Sequence, residues 1–175
     1  MAMVFPQDRE SEEAETVAET GEPGTGDGPV AERHDRCVAA VRAGDVAAVR
    51  TMASRVILDL ARGGANRKIV ELYQLIGERM TRVPLTDAAL GAAATSAIRL
   101  GDEPTYIAIV GTLLEQHPGS SYAPRLMWKL AELYRNADND ALELETLREL
   151  STRFRRDPLG VQAAEELERR GKSVA

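Results

Sequence analysis

The feature that most constrains the fold is a spacing that repeats around three prolines, Pro84, Pro118 and Pro158. An apolar residue stands four, eight and eleven positions before each proline, and an alanine stands five positions after it. The apolar residues are Met80, Ile76 and Tyr73, then Leu114, Val110 and Ile107, then Phe154, Leu150 and Leu147, and the alanines are Ala89, Ala123 and Ala163. Offsets of four, eight and eleven share one face of a helix. The pattern predicts helix pairs that repeat at intervals of 34 and 40 residues and bury their apolar faces against one another.

Short turn segments divide the chain from Val30 onwards into eight predicted helices. Each segment contains residues that end one helix or cap the next. The segments are "AGD" (43–45), "RGGAN" (62–66), "VPLTD" (83–87), "LGDEP" (100–104), "HPGSS" (117–121), "NADND" (136–140) and "RDPLG" (156–160). Aromatic residues make up only 4 % of the chain, and no alternating run of β-branched residues predicts a strand. Because connections this short join antiparallel neighbours, we predict an all-α, right-handed solenoid of about four antiparallel helix pairs.

The most regular unit is "ALGAAATSAIRLGDEPTYIAIVGTLLEQHP" (89–118). It has a pair of small residues, Ala93 and Ala94, a "GD" turn between its helices and a closing proline. With these features and the 34-residue interval, the chain resembles the tetratricopeptide repeat family over about residues 45–170. The following unit is similar but has Glu143 where the family has a small residue. The resemblance implies a scaffold of stacked helix pairs and does not imply an activity.

Acidic residues are concentrated at the start of the chain. Residues 1–29 contain eight acids and a single base, Arg9, whereas the remainder is close to neutral; the whole chain has a net charge of −6. The segment also contains "GEPGTGDGP" (21–29), which cannot hold a helix, and few large apolar residues. We therefore predict a disordered acidic tail (1–29) followed by a helical-repeat domain (30–175).

Few residues are suited to catalysis or metal binding. Cys37 is the only cysteine, which excludes an internal disulfide and a zinc site built on several thiolates. His34 lies one helical turn before Cys37 without a third ligand near them in the sequence, and His117 is expected to cap a helix end. No glycine-rich loop has the pattern that binds phosphate. We accordingly expect a non-enzymatic protein without a cofactor or metal.

Three features of the sequence predict a soluble cytoplasmic protein, or the soluble part of a protein that is anchored elsewhere. The start, "MAMVFPQDRE", has no secretory signal. The longest nearly apolar run, "YIAIVGTLL" (106–114), has nine residues and is too short to cross a bilayer. A single cysteine is compatible with a reducing compartment.

The predicted partner-binding surface is the concave wall formed by the first helix of each pair. Trp128 and the charged residues around it are the strongest candidates, because tryptophan and arginine dominate binding hot spots. The predicted site residues are Arg55, Arg62, Thr95, Arg99, Arg125, Trp128, Lys129, Glu132, Arg135 and Asn136. This largely basic wall favours a protein or peptide segment that is acidic. Residues 8–22 of the chain have that character themselves and are expected to compete with such a partner.

Three other interpretations are open at this point. Trp128 could pack against the next helix pair without contacting a partner. The stacked helices could pair two copies of the chain in a homo-oligomer, which light scattering would detect. The basic stretches "RFRR" (153–156) and "ERRGK" (168–172) could contact nucleic acid, which heparin retention with a salt titration would test. The composition disfavours nucleic acid as a partner, because the aromatic residues that stack on single strands are scarce.

Overall fold

The computed structural model describes residues 28–80 and 82–173, and within these ranges the chain forms helices and no strand. The helices are α1 (Gly28–Ala43), α2 (Val46–Arg62), α3 (Asn66–Arg79), α4 (Asp87–Leu100), α5 (Glu103–Gln116), α6 (Ala123–Asn136), α7 (Asp140–Arg153) and α8 (Pro158–Ser173). The all-α class and the eight helices are thus confirmed. The predicted disordered tail lies outside the described residues except for its last two positions, which belong to the first turn of α1. No helix in the described ranges is both long and apolar enough to cross a membrane.

The turn residues identified in the sequence fix where the helices begin and end. The side chains of Asp45, Thr86 and Asp102 each accept a hydrogen bond from the backbone N–H three residues later, at the starts of α2, α4 and α5. Asn139 caps α7 in the same way. Gly101 ends α4 with a φ of 71°, a left-handed conformation that glycine adopts without steric cost. The connections are therefore short, and consecutive helices are held close together.

Helices pack against their near neighbours in the sequence. Every consecutive pair is in extensive contact, and α1 also packs against α3, α2 against α4, and α6 against α8. Within the described ranges, no extensive contact joins helices more than two positions apart in this order. The pair α4 and α6 is not in extensive contact either, which leaves an opening between these two helices.

The repeated apolar positions supply much of the core. Ala89, Ala123 and Ala163 are fully buried, which lets neighbouring helices approach closely. Of the nine apolar positions before the prolines, all but one are buried or partly buried. The exception is Ile107, which is 37 % exposed, so its assignment to the buried face is wrong. The buried face of α5 includes Tyr106, and the next residue in a helix points about 100° away from it.

A buried carboxylate joins the last three helices. Glu143 of α7 is fully buried, and it accepts hydrogen bonds from Arg135 of α6 at 2.5 Å and from two nitrogens of Arg170 of α8 at 2.8 Å each. The hydrogen bonds from Arg170 to Glu143 raise the pKa of that guanidinium above its ordinary value, against the lowering effect of burial. A small residue was expected at the position of Glu143. The glutamate can be buried there because the two guanidinium groups neutralise its charge and satisfy its oxygens.

Candidate functional site

A groove of about 680 Å³ opens on the side of the molecule formed by α2, α4 and α6. The exposed face of α4 forms one wall, and the first half of α6 with Tyr122 forms the other. Leu58 and Ala61 near the end of α2 also line the groove. The opening exists because α2 packs on α4 whereas α6 does not.

The wall of the groove depends on a glycine inside α4. The ring of Tyr122 lies directly against Gly91, so a Cβ atom there would be 2.9 Å from Tyr122 Cδ1. The missing side chain lets an aromatic ring rest on the backbone of α4. Neither Gly91 nor Tyr122 was among the predicted site residues. The available signal was an isolated glycine within an alanine-rich helix, which often has a packing reason.

Trp128 lines the groove from the α6 side. It is partly buried, packs against the hydrophobic core and also contributes to the groove surface. Its Nε1 donates to Glu132 Oε1 at 3.1 Å, and Lys129 Nζ donates to Glu132 Oε2 at 2.9 Å. Glu132 therefore orients the indole ring and offsets the charge of Lys129. The packing and binding interpretations of Trp128 are compatible, because the same side chain packs against the core and also lines the groove.

The floor of the groove is tied to the core by Tyr106 of α5. Its side chain is 1 % exposed, and its hydroxyl donates to the backbone carbonyl of Leu126 at 2.8 Å. Burial, with a further contribution from the Glu132 charge, raises the pKa of Tyr106 well above its ordinary value. The phenol therefore stays neutral and remains a donor, which holds α6 at a fixed distance from α5.

The charge that the groove presents is positive. Arg99 and Arg125 are exposed, line the groove and have no ion pair or hydrogen-bonded partner among residues 28–80 and 82–173. Glu132 is the one carboxylate among the described lining residues, and it is already bonded to Lys129 and Trp128. Two guanidinium groups beside aromatic surface are therefore available to an incoming group.

The structure brings together six of the ten predicted site residues. The groove-lining members of that set are Thr95, Arg99, Arg125, Trp128, Lys129 and Glu132. The other four lie elsewhere: Arg55 and Arg62 bind Asp59, Arg135 binds Glu143, and Asn136 is the exposed last residue of α6. For these positions the prediction of one continuous basic wall is corrected, because buried carboxylates bind three of the arginines.

Asp59 holds the first two helices together. Its carboxylate is 8 % exposed and contacts Arg33 of α1 at 2.9 Å, Arg55 at 3.2 Å and also Arg62. Burial raises the pKa of Asp59, but the hydrogen bonds and positive charges of Arg55 and Arg33 outweigh it. The pKa therefore lies below its ordinary value. The folded state thus favours the ionised carboxylate, and its ion pair with Arg33 adds to the apolar packing of α1 on α2.

Replacing Asp59 with asparagine is expected to lower stability and to flatten its dependence on acid pH. A group with a lowered folded pKa stabilises the fold above its unfolded pKa, about 3.9, and loses that contribution as the pH falls through the folded pKa. At pH 7, Asp59→Asn should reduce the free energy of unfolding by about 1–2 kcal/mol. Urea denaturation of both proteins from pH 7 down to pH 3 measures this difference in the free energy of unfolding. A difference from the unaltered chain that does not shrink below pH 4 would contradict this role.

The remaining candidate residues are not among those that line the groove. Cys37 is fully buried, and burial raises the pKa of its thiol to about 11, which makes it a poor nucleophile or metal ligand. Nδ1 of His34 lies 3.1 Å from the carboxylate of Asp35, and the described residues contain no group of three or more potential metal ligands. His117 is the C-cap of α5, and its Nε2 lies 2.6 Å from the Leu85 carbonyl oxygen.

In the basic stretches near the C-terminus, three of the five arginines bind carboxylates. Arg153 pairs with Glu149, Arg169 pairs with Glu166, and Arg170 pairs with Glu143 and Glu166. These ion pairs reduce the positive charge that phosphates would meet. The groove differs in having aromatic surface beside guanidinium groups that have no ion pair within the described ranges.

Comparison with known proteins gives no family assignment for this chain. No protein-family model, no curated protein and no solved structure matches it. The geometry of the groove is therefore the basis for any functional conclusion.

Proposed function

We propose that this chain is a non-enzymatic interaction module that binds an acidic segment of a partner protein in the groove between α4 and α6. In doing so it helps to assemble or regulate a complex. The observation that carries the proposal is the pair Arg99 and Arg125, unpaired within the described ranges, beside Trp128 in an open groove.

We further propose that the helices form a short right-handed solenoid of the tetratricopeptide repeat kind. The packing of each helix on neighbours one or two positions along supports this, as do the three buried alanines at equivalent positions. In such a stack, alternate helices line one wall, and most of the groove-lining residues belong to α2, α4 and α6. The solenoid thus offers a surface on which an extended segment can lie across several helices.

The dimensions of the groove suit a peptide with an apolar anchor. A volume of about 680 Å³ lies within the range of roughly 300–1,000 Å³ typical of ligand pockets. Trp128 and Tyr122 give it two aromatic side chains, and aromatic residues in partly desolvated pockets supply much of the energy of protein interfaces. An apolar side chain of the partner would be held between them.

The charges of the groove select for acidic residues beside that anchor. A guanidinium group matches a carboxylate in shape and can donate two parallel hydrogen bonds to it. Arg99 projects from α4 and Arg125 from α6, so acids on both sides of one apolar residue would each meet a guanidinium group. A basic partner segment would instead meet like charge.

Selection of random ten-residue peptides displayed on phage tests the proposal with the full-length chain as bait. We expect enriched peptides to contain acidic residues flanking an apolar residue. Replacing both arginines, Arg99→Glu with Arg125→Glu, should weaken a selected peptide by about 10- to 100-fold, since hydrogen bonds to charged groups contribute about 1.5–3 kcal/mol. A matched control, Arg50→Glu with Arg148→Glu, makes the same charge change at exposed residues outside the groove and should leave affinity nearly unchanged.

The affinity is read from the fluorescence of Trp128, which is the only tryptophan in the chain and lines the groove. Enrichment of basic or uncharged peptides would contradict the proposed partner chemistry. An equal loss of peptide affinity in the groove variant and in the control would mean that the peptide binds outside the groove. Peptides that fail to bind, together with a dimer that the groove variant dissociates, would favour the homo-oligomer.

A further inference from the structure

We propose that residues 8–22 of the chain occupy its own groove and compete with the acidic partner. This inference rests on the proposed function, because it assigns a second, intramolecular ligand to the same groove. Residues 8–22 lie outside the part of the chain that the structure describes, and the argument uses their sequence and their point of attachment.

The point of attachment is the start of a helix that packs against α2. Residues 1–27 join the fold at Gly28, the first residue of α1. Five residues later, Arg33 donates to Asp59 near the end of α2 at 2.9 Å. Leu58 and Ala61, on the same turn of α2 as Asp59, line the groove. The segment therefore enters α1 a helical rise of ~8 Å before Arg33, which binds the end of α2 that also contributes two groove-lining residues.

The segment is long enough to reach the arginines. Gly28 precedes Arg33 by a helical rise of ~8 Å, and crossing from α1 over α2 to α4 adds ~20 Å at usual helix spacings, with α6 across the groove beyond. Residues 8–22 precede Gly28 by 6 to 20 positions, which corresponds to ~20–70 Å of extended chain. An extended segment of this length can therefore bring its acidic residues from the attachment point to Arg99 and Arg125.

The charges are complementary. Residues 8–22 contain seven acids and one base, Arg9, with Val17 and four alanine or threonine residues as the small apolar surface between them. The groove offers Arg99 and Arg125 without partners in the described ranges. A tethered segment has an effective concentration on the order of 1 mM, so even a weak acidic ligand would occupy the groove for much of the time. Its occupancy would reduce the apparent affinity for an external peptide by about 3- to 10-fold.

The test uses the full-length chain with its tail glutamates neutralised. The six changes are Glu10→Gln, Glu12→Gln, Glu13→Gln, Glu15→Gln, Glu19→Gln and Glu22→Gln. A phage-selected acidic peptide should bind this variant about 3- to 10-fold more tightly than the unaltered chain, as followed by Trp128 fluorescence. The indole N–H resonance of Trp128 should also differ between the two proteins without added peptide, because docking changes the environment of the ring. If the tail only repelled the acidic peptide without docking, the resonance of Trp128 would be the same in the two proteins.

A second measurement separates the two proposals. A synthetic peptide of residues 8–22, added to the tail-neutralised chain, should shift the same Trp128 resonance, and Arg99→Glu with Arg125→Glu should abolish the shift. The selected peptide could bind through these arginines while neutralising the tail changes neither its affinity nor the resonance. In that case the proposed competition by residues 8–22 is wrong and the proposed function stands. If the selected peptide does not depend on the arginines, the proposed function itself is wrong.

Discussion

Replacing Gly160 with alanine is expected to lower the free energy of unfolding by about 3 kcal/mol, at the upper end of the usual cost of overpacking. A Cβ atom at this position would lie 2.0 Å from the carbonyl oxygen of Phe154 and 2.6 Å from its carbonyl carbon. Those atoms cannot easily move, because Phe154 N–H donates to Leu150 at 3.0 Å and its carbonyl accepts from Asp157 at 2.8 Å. The new methyl group must therefore displace α8 from the end of α7.

A matched change at Gly111 provides the control. Gly111 lies within α5, is exposed, and an added Cβ would meet nothing within 4 Å. Gly111→Ala should therefore stabilise the chain by up to about 1 kcal/mol, since alanine favours a helix interior over glycine. Urea denaturation followed by circular dichroism compares both variants with the unaltered chain. Similar stabilities for the two variants would show that α8 does not pack on the turn as described.

Replacing Glu143 with alanine is expected to lower the free energy of unfolding by about 2–4 kcal/mol. Removing one member of a buried ion pair commonly costs about 3–5 kcal/mol, and the value is reduced here because both arginines keep partial access to water. The side chains of Arg135 and Arg170 are 41 % and 32 % exposed, whereas that of Glu143 is 0 % exposed. The loss should persist at high salt, since buried charges are screened much less than exposed ones.

Two further variants separate the ion cluster from a general effect on α7. Glu145→Ala changes an exposed glutamate two positions away and should shift stability by less than about 0.5 kcal/mol. Adding Arg170→Ala to Glu143→Ala should cost little more than Glu143→Ala alone, because the buried partner of Arg170 is already missing and only its pair with Glu166 is then lost. Denaturant midpoints of the single and double variants measure this coupling. Additive losses would mean that Glu143 and Arg170 act independently.

The helix order could be predicted because its signals are local. Capping side chains such as Asp102, left-handed glycines such as Gly101 and the closing prolines act within a few residues of their positions. The alanines at equivalent offsets were also informative, since a residue that must let two helices approach has little freedom in size. Ile107 was assigned wrongly because an apolar residue fits a repeat offset whether or not the neighbouring helix covers it.

The groove could be predicted only in part because it depends on contacts between distant residues. Helical periodicity predicts which face of its own helix each of Arg99, Arg125 and Trp128 occupies. The expected stacking of alternate helices then assigns these faces to one wall. The binding of Arg55 by Asp59, however, depends on a carboxylate that α1 helps to bury. The opening itself results from the spacing of α4 and α6 and from Tyr122 resting on a glycine, which no local pattern specifies.

The most direct test of the proposed groove is to locate a bound acidic peptide by photocrosslinking. A peptide from the display selection, with benzoylphenylalanine in place of its apolar anchor, is irradiated with the full-length chain, and the crosslinked residues are mapped by mass spectrometry. We predict crosslinks within residues 88–99 of α4 and residues 122–132 at the start of α6, which form the two walls of the groove. Crosslinks confined to α5, α7 or α8 would contradict the account.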